Sequence, residues 1–405
     1  MTASAPWLSL IGIGEDGVAG LTPPARARLE NARQVHGAKR HLALIPHATQ
    51  TDYREWTGDL RQALADIRAR KQPDTVILAS GDPFLFGIGT MMAEIFDQAE
   101  MEVFPAISSV SLACSIMRWS TQTTRVLSIC GRDPLLIQPH LQDDARLLIL
   151  SADQHSPAQI CAQLCDGGFG ESDVNVMEHL GGERERVRHF IAASGPPDDI
   201  APLNLLAVHL HAQPGARIIP LCAGLEDAFY LTDGQLTKRE IRAVTLSSLA
   251  PRQGECLWDI GAGSGSVAIE WMLRHPTNSA IAFEKNKSRL DLIAKNARRM
   301  GVPGLHLLEA TLPDNVPDLL KPDAVFIGGG VSAPHMLQWA YDQLRPQGRL
   351  VCNAVTMEGE AALMRAFHQW GGRLDRILIS RAEAIGGFHG FRPAMPVTQY
   401  RLVKS

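Results

Sequence analysis

The segment Leu257-Trp258-Asp259-Ile260-Gly261-Ala262-Gly263-Ser264-Gly265 constrains this chain of 405 residues more than any other. A β-forming run delivers Asp259 into a turn of alternating glycines, and residues 267–274 then have helical composition. Alternating glycines let the backbone turn sharply and approach a ligand where a Cβ would clash. A strand, glycine turn and helix in that order belong at the carboxyl edge of an open parallel sheet, where α/β folds bind ligands. Ala282-Phe283-Glu284 closes the next β-forming run in an acid, nineteen residues after Gly265.

The pattern around this segment repeats as βαβ. Strands are expected at 256–260, 279–283, 305–308 and 324–327, with helices at 237–250, 267–274 and 288–300. Late strands are expected at 349–353, 374–380 and 397–403. Alternation of this kind predicts an α/β fold with a parallel sheet. The loop reads GxGxG and lacks the last glycine of GxGxxG, the form that sets a pyrophosphate on a helix N-terminus. S-adenosylmethionine (SAM) carries no phosphate and suits such a loop, with Glu284 accepting hydrogen bonds from both ribose hydroxyls. A nicotinamide dinucleotide, which also uses an acid at this distance, and a purely structural turn are the alternatives.

The first half carries a different glycine set. Ile11-Gly12-Ile13-Gly14 ends one strand, and Ser80-Gly81-Asp82-Pro83-Phe84-Leu85-Phe86-Gly87 follows another at 75–79. Helices are expected at 26–34, 57–69 and 108–119, and a second run of strands at 125–129, 145–150, 173–177 and 203–209. Two subdomains follow, about 1–118 and 119–210. Gln213-Pro214-Gly215-Ala216 reads as a linker, so the expected domains are 1–210 and 211–405.

Composition excludes several classes. A net charge of −4 and a pI near 6.4 argue against a broadly basic nucleic-acid surface. No run of about twenty apolar residues proposes a membrane span. The seven cysteines include no CxxC pair, so no metal site is expected and reduced thiols in the cytoplasm are the simple reading.

The flanks of the glycine sets carry two resemblances. The Gly81-Asp82-Pro83 loop, Pro105-Ala106-Ile107-Ser108-Ser109, Cys130-Gly131-Arg132 and Leu180-Gly181-Gly182-Glu183-Arg184-Glu185 resemble segments of the tetrapyrrole methylases, the class III SAM-dependent methyltransferases. Glu15-Asp16 stands where that family often has Pro-Gly, and Ala106 replaces its usual glycine. Asp323-Ala324-Val325-Phe326-Ile327-Gly328-Gly329, with Thr237 ahead of the first helix, resembles the C15-methylating, decarboxylating methyltransferases of the cobalamin pathway. Ala310-Thr311-Leu312-Pro313 aligns with their adenine-bordering Gly-Asp-Ala-Pro and lacks the acid.

The order of the two halves is that of the fused C5,15-methylating enzymes. This implies an N-terminal two-subdomain tetrapyrrole methylase fold, followed by a Rossmann-like class I SAM methyltransferase fold. The implied activity is methylation of a reduced tetrapyrrole, precorrin-6B, at C5 and C15, with loss of carbon dioxide from the C12 acetate. The implied cofactor is SAM, and the implied assembly is a homo-oligomer. Carried over, the cofactor site takes Gly12, Gly14, Gly81, Asp82, Leu85, Ser108 and Ser109 in the first half. In the second it takes Thr237, Asp259, Gly261, Ala262, Gly263, Ser264, Gly265, Glu284 and Ala310. The substrate carries many carboxylates, which nominates Arg132, Arg184, Lys238 and Arg392 as its contacts. Arg381 and His389, the latter on an expected glycine-flanked loop, are the candidates for chemistry. A two-domain NAD(P)-dependent oxidoreductase is the competing class. A third is a methyltransferase with one half degenerate and retained as a SAM sensor.

Overall fold

A computed structural model of the chain describes residues 6–313 and 319–405. Two compact units emerge. One runs to Pro134 and resumes over Gln142–Arg217, and the other takes Leu135–Leu141 and Ile218–Ser405. The sequence placed this division at residues 210 and 211. The boundary lies later because the connection is hydrogen-bonded onto the first unit. Gln213 N donates to Gly168 O at 2.9 Å and Arg217 N to Gly167 O at 2.8 Å.

The first unit holds two sheets. β1 (Leu8–Ile13), β2 (Gln34–Gly37), β3 (Asp52–Glu55), β4 (Thr75–Ser80) and β5 (Met101–Phe104) form a parallel sheet in the order β3-β2-β4-β1-β5. β1 and β4 are in register from Leu8 opposite Thr75 to Ile13 opposite Ser80. That register brings the Gly12–Gly14 turn and the Gly81–Pro83 loop to the same sheet edge. Leu10 and Ile77 on one face and Ile11 and Val76 on the other are all fully buried or nearly so, as a parallel sheet covered on both sides requires.

The expected helix at 26–34 is two elements. Thr22 caps a helix at Pro23–Glu30, and Gln34–Gly37 pairs into the sheet as β2. The expected helix at 57–69 begins at Leu60, because the Asp59 carboxylate accepts from Arg61 N at 2.7 Å and fixes the cap there.

β6 (Thr124–Ser128), β7 (Arg146–Leu150), β8 (Asp173–Glu178), β9 (Arg186–Ile191) and β10 (Asn204–His209) form the second sheet, in the order β6-β7-β10-β8-β9. Only β6 and β7 run parallel; the rest are antiparallel. The helix Ser109–Met117 packs Val110, Ala113 and Cys114 against Leu148, Met177 and Ala207 of this sheet.

The second unit is built on β11 (Cys256–Ile260), β12 (Ser279–Glu284), β13 (His306–Glu309), β14 (Ala324–Ile327), β15 (Arg349–Ala354), β16 (Arg373–Ile377), β17 (Ser380–Ile385), β18 (Phe388–Pro393) and β19 (Val397–Val403). Seven strands order as β13-β12-β11-β14-β15-β19-β16, parallel through β15 and antiparallel beyond it. Trp271 and Leu257 pack one face of it, and Trp258 and Val325 the other. β17 and β18 stand apart as an exposed antiparallel hairpin. The sequence had extended one strand to residue 380 and read the glycine-flanked segment around His389 as a loop. The structure instead pairs His389 with Ala384 inside the hairpin. No helix among the described residues is long and apolar enough to cross a membrane.

Candidate functional site

Each unit has its own cleft at the carboxyl ends of its parallel strands. In the second unit the cleft encloses about 660 Å³. Asp259 is the penultimate residue of β11, with its side chain buried, where Oδ2 accepts from Ala268 N at 3.1 Å and Oδ1 has no partner. Burial pushes its carboxyl up to about 7; the Ala268 hydrogen bond opposes this and the charge of Glu284 adds to it. Gly261, Gly263 and Gly265 all have positive φ, which a residue with a Cβ adopts only under strain.

A Cβ on Gly263 would lie 2.9 Å from Gln235 O, and one on Gly265 would lie 2.6 Å from the Ile293 side chain. The turn is therefore packed tight below while its upper side stays open. Glu284, at the end of β12, accepts from Gly263 N at 3.1 Å and from Asn286 N at 3.0 Å. Its carboxylate is fixed at the cleft edge with lone pairs still available.

A buried ion pair shapes the opposite wall. Arg242 Nε meets Glu270 Oε1 at 2.5 Å with both side chains fully buried. Glu270 also accepts from Gly224 N at 2.7 Å, Leu225 N at 3.1 Å and Tyr230 OH at 3.0 Å. Arg242 donates to the carbonyls of Thr237 and Leu225. Ser264 Oγ donates to Gln235 O at 2.6 Å. These bonds hold residues 235–237 over the glycine turn.

Of the residues nominated from sequence, Thr237, Lys238, Gly261, Ala262, Gly263, Glu284, Ala310 and Arg381 line this cleft. Asp259, Ser264 and Gly265 support the turn from behind. Arg381 also pairs with Glu240 at 2.5 Å, and Lys238 lies 3.4 Å from Asp227. Arg392 pairs with Glu383 at 3.2 Å, and His389 is exposed; both sit on the hairpin, outside the lining. Beside Arg381, Asn353 and Arg289 also face the cleft, and nothing in the local sequence marked them.

In the first unit the cleft encloses about 400 Å³, and Gly14, Gly81, Asp82, Leu85, Ser108 and Ser109 line it. Gly12 lies beneath it, where an added Cβ would stand 1.9 Å from Gly81 O. Asp82 Oδ1 accepts from Phe84 N at 2.9 Å, so its carboxylate builds the turn. Ser108 caps the helix that follows, accepting from Ser111 N at 3.1 Å. Arg132 lies over the Phe86 ring, 5.5 Å from its centre, outside the lining residues. Arg184 is 3.9 Å from Glu15.

The polar centre of this cleft escaped the sequence reading. Glu15 Oε1 meets Arg40 at 2.5 Å and Oε2 meets His179 at 2.8 Å. Burial alone would raise the Glu15 carboxyl, but hydrogen bonds from His179 and Arg40 hold it below its usual range. Arg40 Nη2 donates to Ser80 Oγ at 2.6 Å, and His41 Nε2 is 2.9 Å from the same oxygen. Burial, reinforced by the charge of Arg40, pushes His41 down to about 4. The ring is neutral at physiological pH, and Arg40 Nη2, a donor 3.1 Å from the same nitrogen, favours the tautomer in which Nε2 accepts, so that Ser80 donates to it. Glu15 drew notice in the sequence only as a departure from the family pattern. Arg40 and His41 left no signal, because only the parallel pairing of β2 with β4 brings the short helix that carries them to Ser80.

Both clefts fit SAM. In the second, Gly329 and Gly330 leave open space where a Cβ would stand, in a cleft that the fixed carboxylate of Glu284 also lines. In the first, backbone and hydroxyl groups of Gly81, Ser108 and Ser109 ring a largely apolar hollow.

A family model described as tetrapyrrole (corrin/porphyrin) methylases matches residues 8–193, and one described as precorrin methyltransferase domain matches residues 228–404. A precorrin-6Y C(5,15)-methyltransferase (decarboxylating) from Sinorhizobium sp is 46% identical over 400 residues, 99% of this chain and 97% of that protein. A protein of the same description from Mycobacterium tuberculosis H37Rv is 38% identical over 98% of this chain and 99% of its own. Among solved structures, the C-terminal domain of precorrin-6Y C5,15-methyltransferase from Rhodobacter capsulatus is 39% identical, covering 46% of this chain and all of that one, with a TM-score of 0.44. Matched end to end at this identity, the chain belongs to the decarboxylating precorrin-6Y C(5,15)-methyltransferases.

Proposed function

We propose that the two clefts divide the work. The first unit methylates C5 of the reduced macrocycle, and the second decarboxylates the C12 acetate and methylates C15. The enzyme is a SAM-dependent methyltransferase with decarboxylase activity in cobalamin biosynthesis. The division of labour rests on one observation: two separate glycine-built clefts, each at the carboxyl edge of its own parallel sheet. Family membership removes the ground for the NAD(P)-dependent oxidoreductase reading.

When bound, SAM supplies an electrophilic sulfonium methyl, and an enamine-like meso carbon is the nucleophile. The protein's part is to hold the partners in line, an orientation effect worth up to about 7–11 kcal/mol in ideal cases. Methylation leaves the macrocycle with a proton to lose. In the first cleft Ser80 and His41 form the acceptor: Ser80 takes the proton as its own passes to the neutral His41 Nε2, with Arg40 stabilising the oxygen. In the second cleft Arg381 and Lys238 meet substrate carboxylates, and Glu284 holds the ribose.

The assembly is a homo-oligomer, with the β17–β18 hairpin as the contact. An isolated hairpin is marginal in water, and Phe388 and Phe391 on it are 82% and 79% exposed. The seven free cysteines support a reducing cytoplasm. Calorimetry on the full chain tests the reading. Two SAM sites are expected, one lost in Gly12→Ala and the other in Glu284→Ala. A single site in the parent chain overturns it in favour of a sensor.

A further inference from the structure

Away from the cleft of the first unit, three side chains of the second sheet and one from the connection after β10 converge. Asp173, the first residue of β8, is opposite His209 of β10 in the strand register. Asp173 Oδ2 lies 3.0 Å from His211 Nε2, and Oδ1 lies 2.8 Å from His189 Nε2 on β9. The rings of His209 and His211 are 4.5 Å apart between centres. Ligand atoms of Asp173, His209 and His211 all fall within 4.8 Å of one another.

We propose that Asp173, His209 and His211, with His189 beside them, bind a borderline divalent transition ion such as zinc, cobalt or nickel. Two ligands of a tetrahedral zinc, each bonded at 2.0–2.1 Å, stand ~3.3 Å apart. The His211–Asp173 separation is already close to that, so binding asks the His209 ring, whose ligand atom lies within 4.8 Å of the other two, to close by up to ~1.5 Å. Imidazole with one carboxylate is the donor set that such ions prefer over calcium or magnesium. Asp144, 2.7 Å from His209 Nε2, holds that ring in place and adds negative charge to the patch. Arg146, opposite His209 in the strand register, lies over the Trp119 ring, 5.6 Å from its centre.

A bound ion would tie β8 and β9 to the end of β10. His211 lies in the 211–217 connection, so the ion would pin that connection where it leaves the first unit. The chemistry of neither cleft needs it. The site is a staple.

The test uses the untagged full chain after chelator treatment. Zinc alone is titrated calorimetrically, and cobalt alone is followed by visible absorption. The parent is expected to bind one equivalent with micromolar affinity, with a nitrogen-and-oxygen cobalt spectrum free of thiolate charge transfer. His209→Ala with His211→Ala should abolish that equivalent, and Asp173→Asn should weaken it about tenfold or more, with circular dichroism unchanged. Unchanged binding in the double variant, a thiolate spectrum, or no binding at micromolar metal would each overturn the proposal. Should the double variant not fold, Asp173→Asn carries the test, and unaltered affinity there overturns the proposal as well.

Discussion

At the scale of single residues, Gly12 and His41 carry the first cleft. A methyl group on Gly12 would collide with two backbone groups, Gly81 O at 1.9 Å and Ala106 N at 2.8 Å, neither of which can swing away. Gly12→Ala should therefore lose SAM at the first site and keep it at the second, counted by calorimetry. His41→Gln keeps a neutral polar group near Ser80 and removes the base. C5 methylation should then fall by about 10²–10⁴ with C15 methylation unchanged. Equal loss at both positions would remove His41 from the relay. His389→Ala, on the exposed hairpin, should leave carbon dioxide release at the parent rate.

The Arg242–Glu270 pair acts at the scale of elements, because it fastens the Thr237 segment and the helix Arg239–Leu249 to the glycine turn. Glu270→Ala would leave a fully buried guanidinium uncompensated. A loss of about 3–5 kcal/mol is expected, read as earlier unfolding of the second unit and weakened SAM binding there. A loss below about 1 kcal/mol would mean that the pair is solvated by rearrangement.

Elements are also where the sequence was most and least legible. The βαβ run from Cys256 to Ile327 was plain, because apolar strands and amphipathic helices alternate between glycine turns. β2, β3 and the hairpin were hidden. Gln34-Val35-His36-Gly37 is too short and too polar to show a period, and only pairing with β4 makes it a strand. Backbone parts of both clefts could be read from glycine spacing. The Glu15, Arg40, His41 and Ser80 centre could not, since its members come from separate segments that the sheet brings together.

For the whole molecule, the two units should respond to pH with opposite sign. His36 and His41 titrate near 4 in the fold, pushed down by burial, against ~6.5 unfolded. Between those values the unfolded chain binds more protons, so the first unit loses stability as pH falls through about 6.5 to 4. The ceiling on the loss is about 3–4 kcal/mol per histidine. Asp259 titrates near 7 in the fold, pushed up by burial, against ~3.9 unfolded. Its contribution to the second unit is present below about pH 4 and lost as pH rises toward 7. Hydrogen exchange on peptides from β1–β5 and from β11–β15, corrected for intrinsic rates, separates the two trends. Parallel trends in both units would contradict this account.

The fused architecture makes one claim above the others, that each cleft performs its own methylation. The direct measurement is the product mass from the reduced precorrin and SAM, with the full chain and with Gly12→Ala. The parent should add two methyl groups and lose one carbon dioxide. Gly12→Ala should add one methyl group and still lose carbon dioxide. A Gly12→Ala product that carries both methyl groups, or retains the acetate carboxylate, would contradict the division.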